Sequence, residues 1–223
     1  MLDNLGLIRE NVLDFQKQDD FYVFHILQRA KDKRKSHTFK PGDHSDGSRL
    51  IKTVYVDSLE YFDRKVDTMR QIADANDARI YMLPQVRSKL TCNRALATEI
   101  IRQIDDWQIR YDHLLRTAIC ACHSSRAKRW VIDLDEDLVP EHPYSGDRKT
   151  ALQNLADAVK TDLLNWAEKM LKGEDLADFE KTLMAYHTRS GMAVLTKPFD
   201  VRIWSLNPDL IKKDGMLLAY VGF

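Results

Sequence analysis

The chain has 223 residues, which is enough for one large domain or two small ones with a core of ordinary size. Of these residues, 44% are hydrophobic and 30% are charged. Its 34 basic residues balance 34 acidic ones, which excludes a histone-like positive coat and confines any nucleic-acid contact to a local basic surface. No apolar stretch approaches the roughly 20 residues of a membrane span, and three cysteines favour reduced thiols. We therefore expect a cytoplasmic protein with no membrane partner.

The first part of the chain has the composition of a strand followed by a basic loop. Residues 1–20 are a polar lead-in with one short helix, and residues 21–27 are rich in strand formers. A strand over 50–56, an amphipathic helix over 59–72 and a strand over 78–84 then follow one another. They predict a strand–helix–strand unit.

Two further segments complete the first half. Residues 85–89 are expected to form a basic loop at the carboxyl end of the preceding strand, where open α/β sheets bind ligands. From residue 91 to about residue 123, apolar residues keep to one helical face. This periodicity predicts one long helix or two helices joined by a kink.

An apolar run that ends in alternating carboxylates comes next, over residues 129–137. In a strand, alternate residues point the same way, so Asp133 and Asp135 would share one face at the end of a strand. Two carboxylates this close repel each other unless a cation lies between them, and Mg²⁺ and Mn²⁺ prefer oxygen ligands. The pair therefore indicates a divalent-metal site, and a solvated acidic turn is the alternative.

The last third of the chain combines a helix with a hairpin. An amphipathic helix over 152–170 ends before Gly173, and a short helix starts near Leu176. Residues 182–187 and 192–196 are expected to be strands joined by a tight turn over 188–191, and 217–221 is expected to be the final strand. Arg189, Ser190 and Gly191 could offer a cation and backbone amides to a phosphate, although an ordinary hairpin explains the same pattern.

These motifs, in this order, resemble the catalytic core of archaeo-eukaryotic-type primases and primase-polymerases. Ile132-Asp133-Leu134-Asp135 matches the Asp-x-Asp motif, and the hairpin turn before a strand matches the Ser/Thr-Gly-rich second motif. The segment from Thr188 to Asp200 also looks like small phage-encoded proteins of this kind, which would place the chain in the host cytoplasm. The resemblance covers roughly residues 50–200.

The resemblance implies an α+β fold with an RRM-like, primase-type mixed sheet flanked by long amphipathic helices. We expect residues 1–223 to form a single domain. Its parts would be an N-terminal strand and basic loop (1–49), a strand–helix–strand unit with the long helix (50–123), and the metal and nucleotide site (124–223).

The resemblance also implies a nucleotidyltransferase that acts in DNA replication. Asp133 and Asp135, with Asp200 as the third ligand, would hold Mg²⁺ or Mn²⁺; Asp209 and Asp214 are further candidates for that third ligand. A nucleoside triphosphate and a DNA or RNA template would be the partners. The expected phosphate or template contacts are Arg189, Ser190, Gly191, Lys197, Arg79, Arg87 and Lys89.

One position departs from the family pattern. Two residues after Gly191, where the family has a histidine that contacts the nucleotide phosphates, this chain has Ala193. A methyl group cannot bind a phosphate, and His187 is the nearest substitute. Three explanations are open: natural loss of nucleotidyl transfer, an engineered substitution, or a mistaken resemblance.

Two other functions therefore stay open beside the nucleotidyltransferase. The same carboxylates could serve a metal-dependent nuclease or other phosphodiester hydrolase, with water in place of the primer hydroxyl. Alternatively, the chain could be a non-catalytic module that binds a nucleotide or a protein on an inactivated core. Ala193 favours this last alternative.

Overall fold

The computed structural model describes residues 1–29, 32, 48–105, 114, 117–119, 122, 128–135, 148–204 and 207–222. Within these ranges the chain forms two β-sheets with packed helices, so the predicted α+β class is confirmed. Every strand pairing in these ranges is antiparallel, whereas a mixed sheet was expected. None of the helices described is both long and apolar enough to cross a membrane.

The first sheet, sheet A, has five strands. They are β1 (Leu2–Asp3), β2 (Asp20–Gln28), β3 (Arg49–Val56), β4 (Arg79–Ser88) and β9 (Leu217–Val221). Their order across the sheet is β1-β9-β4-β2-β3. Because β2 lies between β3 and β4 and is antiparallel to both, the predicted strand–helix–strand unit is split, and its two strands do not pair with each other.

Three helices pack around sheet A: α1 (Leu5–Asn11), α2 (Leu59–Ala75) and α3 (Lys89–Asp105). The N-terminus of α2 is capped by Ser58, whose side chain accepts a hydrogen bond from the Tyr61 amide at 3.1 Å. Phe62, Met69 and Ala73 of α2 are buried, whereas Leu59 is exposed. The rings of Phe62 and Phe24 lie 5.6 Å apart between α2 and β2. The alternation along β2 and β4 thus presents one apolar face of sheet A to α2.

The expected basic loop over 85–89 is wrong, because β4 continues to Ser88. The pairing between β2 and β4 shifts near Pro84: Val23 pairs with Leu83, but Phe21 pairs with Arg87. Proline has no backbone N–H to give to a neighbouring strand, so the ladder bulges at Pro84 and then resumes. The strand therefore extends past the proline that was expected to end it.

The long helix predicted over 91–123 is α3 in its first half; residues 106–113 and most of those up to 123 lie outside the described ranges. The predicted buried face is only partly right. Cys92 and Leu96 pack against Phe21 of β2, but Ile100 and Ile104 are exposed. The predicted apolar period therefore continues along α3 beyond the residues that are buried.

The second sheet, sheet B, has four strands, β5 (Trp130–Asp135), β6 (Met184–His187), β7 (Gly191–Thr196) and β8 (Ile211–Lys212). Their order is β6-β7-β5-β8. Two helices, α4 (Arg148–Met170) and α5 (Glu174–Thr182), precede β6. Ile132, Leu134 and Val194 point to α4 and form a core with Leu152 and Leu163.

The opposite face of sheet B is turned toward sheet A. Leu195 and Tyr186 from that face join the core beneath α1 and α2. The Nδ2 group of Asn4 donates hydrogen bonds to the His187 carbonyl at 2.8 Å and the Leu218 carbonyl at 2.9 Å, which links β6 to β9. The two sheets are therefore in contact with each other. The side chains on the face of β5 that is turned away from α4 point into the space between the sheets.

Candidate active-site cleft

A cleft of about 620 Å³ opens between the two sheets, and we call it the cleft. Sheet B supplies its floor, while β4, β9 and the end of β2 supply the facing wall. Fifteen of the described residues line it: Arg29, Arg79, Tyr81, Val131, Asp133, Asp135, Tyr186, Thr188, Arg189, Ser190, Ala193, Lys212, Gly215, Met216 and Leu218. The two motifs singled out in the sequence therefore meet in one place.

The carboxylate pair lies on the floor of the cleft. Asp133 and Asp135 are two residues apart on β5, which puts their Cα atoms about 7 Å apart on the same face. Burial raises the pKa of Asp133, and the neighbouring Asp135 carboxylate raises it further, against the opposing charges of Lys212 and Arg29. The strand thus holds two like charges in a partly dry place, where a cation would favour the ionised form of both.

The residue opposite the pair is apolar. Ala193 on β7 pairs directly with Asp133 on β5, and Tyr186 on β6 pairs with Ala193. Directly paired residues have Cβ atoms about 5 Å apart, so a longer side chain at position 193 would reach the carboxylates. Ala193 is 1% exposed and supplies no polar atom there.

A buried ion cluster forms the wall opposite the pair. The Arg79 guanidinium donates two hydrogen bonds to the Asp32 carboxylate, at 2.5 and 2.6 Å, and Arg189 donates a third to the same carboxylate. Asp32 and Arg79 have side chains 0% and 3% exposed, while that of Arg189 is 46% exposed. Two of the expected phosphate contacts therefore lie in the cleft, but an internal anion already engages them.

Sequence reasoning missed Asp32, because it is a single acid within a basic run over residues 28–35, and such a run is typical of a solvated surface. It also missed Lys212, which lines the cleft from β8, a strand too short for a pattern of its own.

The turn of the β6–β7 hairpin lies at the edge of the cleft. Ser190 lines the cleft at this turn, and Gly191 begins β7 beside Asp135. A Cβ atom on Gly191 would lie 2.2 Å from the Leu134 carbonyl oxygen, which is closer than real side chains approach a backbone. Glycine is therefore required here by the close approach of β7 to β5.

Tyr81 is a cleft residue that the sequence did not single out. It lies on β4, two residues from Arg79 and on the same face of the strand. The alternation of side chains along the predicted strand could therefore have placed Tyr81 beside Arg79. Its hydroxyl is buried and makes no hydrogen bond within the described ranges. The hydroxyl lies close enough to the Arg79 guanidinium to favour its charged form, which raises the pKa of Arg79. A buried hydroxyl that lacks a well-formed hydrogen bond costs free energy, so a polar ligand or water in the cleft would satisfy it.

Two of the expected nucleic-acid contacts, Arg87 and Lys89, lie outside the cleft. Arg87 is buried and donates hydrogen bonds to the carbonyls of Ile119 and Gln85, at 3.0 Å each. Lys89 forms an ion pair with Asp57 at 2.7 Å beside α3. Arg87, near the end of β4, and Lys89, the first residue of α3, are both absent from the lining of the cleft.

Lys197 and Asp200 are also placed elsewhere. Both follow β7 beyond Thr196, which pairs with Trp130 at the end of β5 opposite to Asp135. Lys197 forms an ion pair with Asp178, and hydrogen bonds from Arg202 lower the pKa of Asp200 to about 2. Asp200 is therefore not brought to the pair as a third ligand, because the antiparallel hairpin carries the chain away from it.

His187 does not replace the missing second-motif histidine. It is adjacent in the chain to Tyr186, whose side chain faces the cleft, so the side chain of His187 points to the other face of sheet B. The strand alternation that brings Asp133 and Tyr186 together thus excludes His187 from the cleft.

The described donor set fits a hard divalent ion bound with a phosphate ligand. No third acid, histidine or cysteine joins Asp133 and Asp135 among the residues described. Mg²⁺ commonly takes one or two carboxylates and completes its shell with waters and substrate phosphates, whereas an all-protein cage would need more donors. The pair therefore suits an ion that arrives with, or is completed by, its substrate.

Together these features define a class: an α+β protein with a carboxylate pair and a buried ion cluster in a cleft between two antiparallel sheets. Beyond this class no relative identifies the chain, since no protein-family model, curated protein or solved structure matches it.

Proposed function

We propose that the chain is a metal-dependent nucleotidyltransferase of the primase-polymerase type, and that its cleft binds a nucleoside triphosphate. The observation that carries this proposal is the meeting of Asp133 and Asp135 with Arg189 in one cleft, from motifs more than fifty residues apart. In a metal-bound triphosphate, the negatively charged phosphate oxygens can bind Arg189, and the metal ion can bind the carboxylates of Asp133 and Asp135. Neither feature alone would indicate a nucleotide.

The strand order of sheet B supports the RRM-like part of the proposal. Its elements follow the chain as strand, helices, strand, strand and final strand, and the first strand lies between the third and the fourth. This is the order of a split βαβ sheet, with two 3₁₀ turns (Val201–Ile203 and Pro208–Leu210) between the last two strands in place of a second helix. In this arrangement the first strand is central, which is where the carboxylate pair lies.

The roles of the residues follow from their positions. Asp133 and Asp135 would hold Mg²⁺ or Mn²⁺, which neutralises charge on the phosphates and activates the attacking hydroxyl. Arg189, half exposed at the rim, and Ser190 beside it would bind phosphate oxygens. Arg79 is a positioning residue, since its guanidinium holds Asp32, which in turn holds Arg189.

The test combines calorimetry with primer extension. The wild-type chain is mixed with ATP or dATP in Mg²⁺ or Mn²⁺, and with a labelled primer–template. Asp133→Asn and Asp135→Asn should abolish metal-dependent nucleotide binding and extension, whereas Asp200→Asn should retain both. Wild-type-like binding and extension by the Asp133→Asn, Asp135→Asn double variant would refute the proposal, and shortening of the primer would identify a nuclease instead.

A second candidate, a non-catalytic nucleotide-binding module, is favoured by one observation. Ala193 lies directly opposite Asp133, so the position nearest the carboxylates contributes no hydrogen bond to a reacting phosphate. Tight Mg²⁺-dependent binding without turnover would support this candidate. Ala193→His separates the two: primer extension gained in this variant, with nucleotide affinity kept, would indicate an active core that lost one group.

A further inference from the structure

A second cavity, of about 380 Å³, lies on the other side of the β6–β7 turn, and we call it the turn cavity. It is formed by β1, the first turn of α4, the turn itself and the end of β9. The ten described residues that line it are Met1, Leu2, Lys149, Leu152, His187, Thr188, Arg189, Gly191, Met192 and Val221. Of these residues, Arg189 alone has a role in the proposed function.

The charged lining of the turn cavity has one sign. Lys149 and Arg189 contribute positive charge, and each of them also interacts within the protein, Arg189 with the Asp32 carboxylate. His187 adds an imidazole that can donate a hydrogen bond. No Asp or Glu is among its described lining residues. The cleft differs in this respect, because there Asp133 and Asp135 share the space with the cations. The turn cavity therefore favours an anion that needs no metal ion.

The turn is the wall between the two spaces. Thr188 and Arg189 line both the cleft and the turn cavity. An anionic chain that leaves the cleft over this turn would stay in contact with Arg189 and then reach Lys149. The apolar part of the lining, which includes Leu152 and Met192, can pack against sugars or bases without reading their sequence.

We propose that the turn cavity binds the phosphodiester backbone of a nucleic-acid strand whose terminal nucleotide lies in the cleft. This inference rests on the proposed function, because the cleft must hold a nucleotide for a strand to continue from it. It also moves the expected strand contacts from Arg87 and Lys89, which lie outside the cleft, to Lys149 and His187. Because backbone contacts carry no sequence information, binding here should be insensitive to base sequence.

The experiment measures binding of a fluorescently labelled single-stranded oligonucleotide by anisotropy over a series of salt concentrations. Lys149→Ala should weaken binding several-fold and lower the slope of log K against log [salt] by about 0.7, the loss of one phosphate contact on a single strand. The matched control is Lys169→Ala, an exposed lysine on the last turn of the same helix, about 30 Å away. It should leave both the affinity and the slope unchanged.

Mg²⁺-dependent ATP binding, measured on the same variants, separates this proposal from the proposed function. Lys149→Ala should keep ATP affinity, whereas Asp133→Asn should lose it. An unchanged salt slope in Lys149→Ala would overturn the strand path, whatever the result with ATP. Loss of ATP binding in Lys149→Ala would also overturn it, since the turn cavity would then belong to the mononucleotide site. DNA and RNA oligonucleotides of equal length show which sugar is preferred.

Discussion

Replacing Asp32 with asparagine tests the buried ion cluster that closes one wall of the cleft. The Asp32 carboxylate accepts hydrogen bonds from Arg79 on β4 of sheet A and from Arg189 at the turn of sheet B. Asparagine keeps the size of the side chain but removes its charge, and its amide group would face a guanidinium. The substitution therefore leaves Arg79 buried as an unpaired cation.

The magnitude follows from the burial of the two partners. Arg79 and Asp32 are 3% and 0% exposed, so water cannot replace the lost partner, whereas the half-exposed Arg189 can be hydrated. Breaking one side of a buried pair costs about 3–5 kcal/mol. Two unit charges about 4 Å apart at an effective dielectric constant near 20 attract by about 4 kcal/mol, which agrees. We expect Asp32→Asn to lower the free energy of unfolding by about 3–5 kcal/mol.

Urea unfolding followed by circular dichroism measures this change, and the chain contains its own control. Arg9 and Asp63 form a similar two-bond pair, but their side chains are 42% and 44% exposed. Asp63→Asn should cost no more than about 1 kcal/mol. Equal losses in the two variants, or a loss under about 1 kcal/mol in Asp32→Asn, would refute the reasoning from burial.

Three further predictions concern the cleft. Tyr81→Phe removes a buried hydroxyl that makes no well-formed hydrogen bond in the described ranges, so the free energy of unfolding should stay unchanged or rise by up to about 1 kcal/mol. ATP affinity, measured by calorimetry, should fall by about five- to tenfold. Gly191→Ala places a Cβ atom 2.2 Å from a carbonyl of the neighbouring strand, and urea unfolding should show a loss of about 1–3 kcal/mol; full stability would contradict the close approach. Because burial raises the pKa of Asp133 above its ordinary 3.8, metal-free stability should fall as pH rises from 3.8 through the raised pKa. Asp133→Asn should therefore be more stable than wild type at pH 7 without metal, with the difference vanishing toward pH 3.8, and Mg²⁺ should stabilise only the wild type.

The elements that the sequence predicted well have one face packed against the core and the other face turned to the cleft or to solvent. β5 carries apolar Ile132 and Leu134 toward α4 and the acids Asp133 and Asp135 toward the cleft, so its alternation reports both neighbours. The same holds for α2, where a stripe of apolar residues and the Ser58 cap mark the helix. In each case the pattern lies within one short segment of the chain, so the element can be predicted from that segment alone.

The parts that could not be predicted depend on which distant segments become neighbours. Arg79 looked like a phosphate contact, and only the fold shows that Asp32 engages it. Asp200 lies four residues beyond β7, and the antiparallel direction of that strand carries it to the wrong end of β5. Sequence distance from a motif does not reveal which end of a hairpin faces the site.

The position of β9 affects when the cleft can exist. β9 lies between β1 and β4, and its Leu218 lines the cleft together with residues from as early in the chain as Arg29. Such long-range pairings close large loops and form slowly. During synthesis, neither Arg79 nor the carboxylate pair has its final surroundings until β9 has left the ribosome and joined the sheet. Ligand binding in the cleft would therefore report that β9 has joined sheet A, and a bound ligand would oppose the opening of both sheets together.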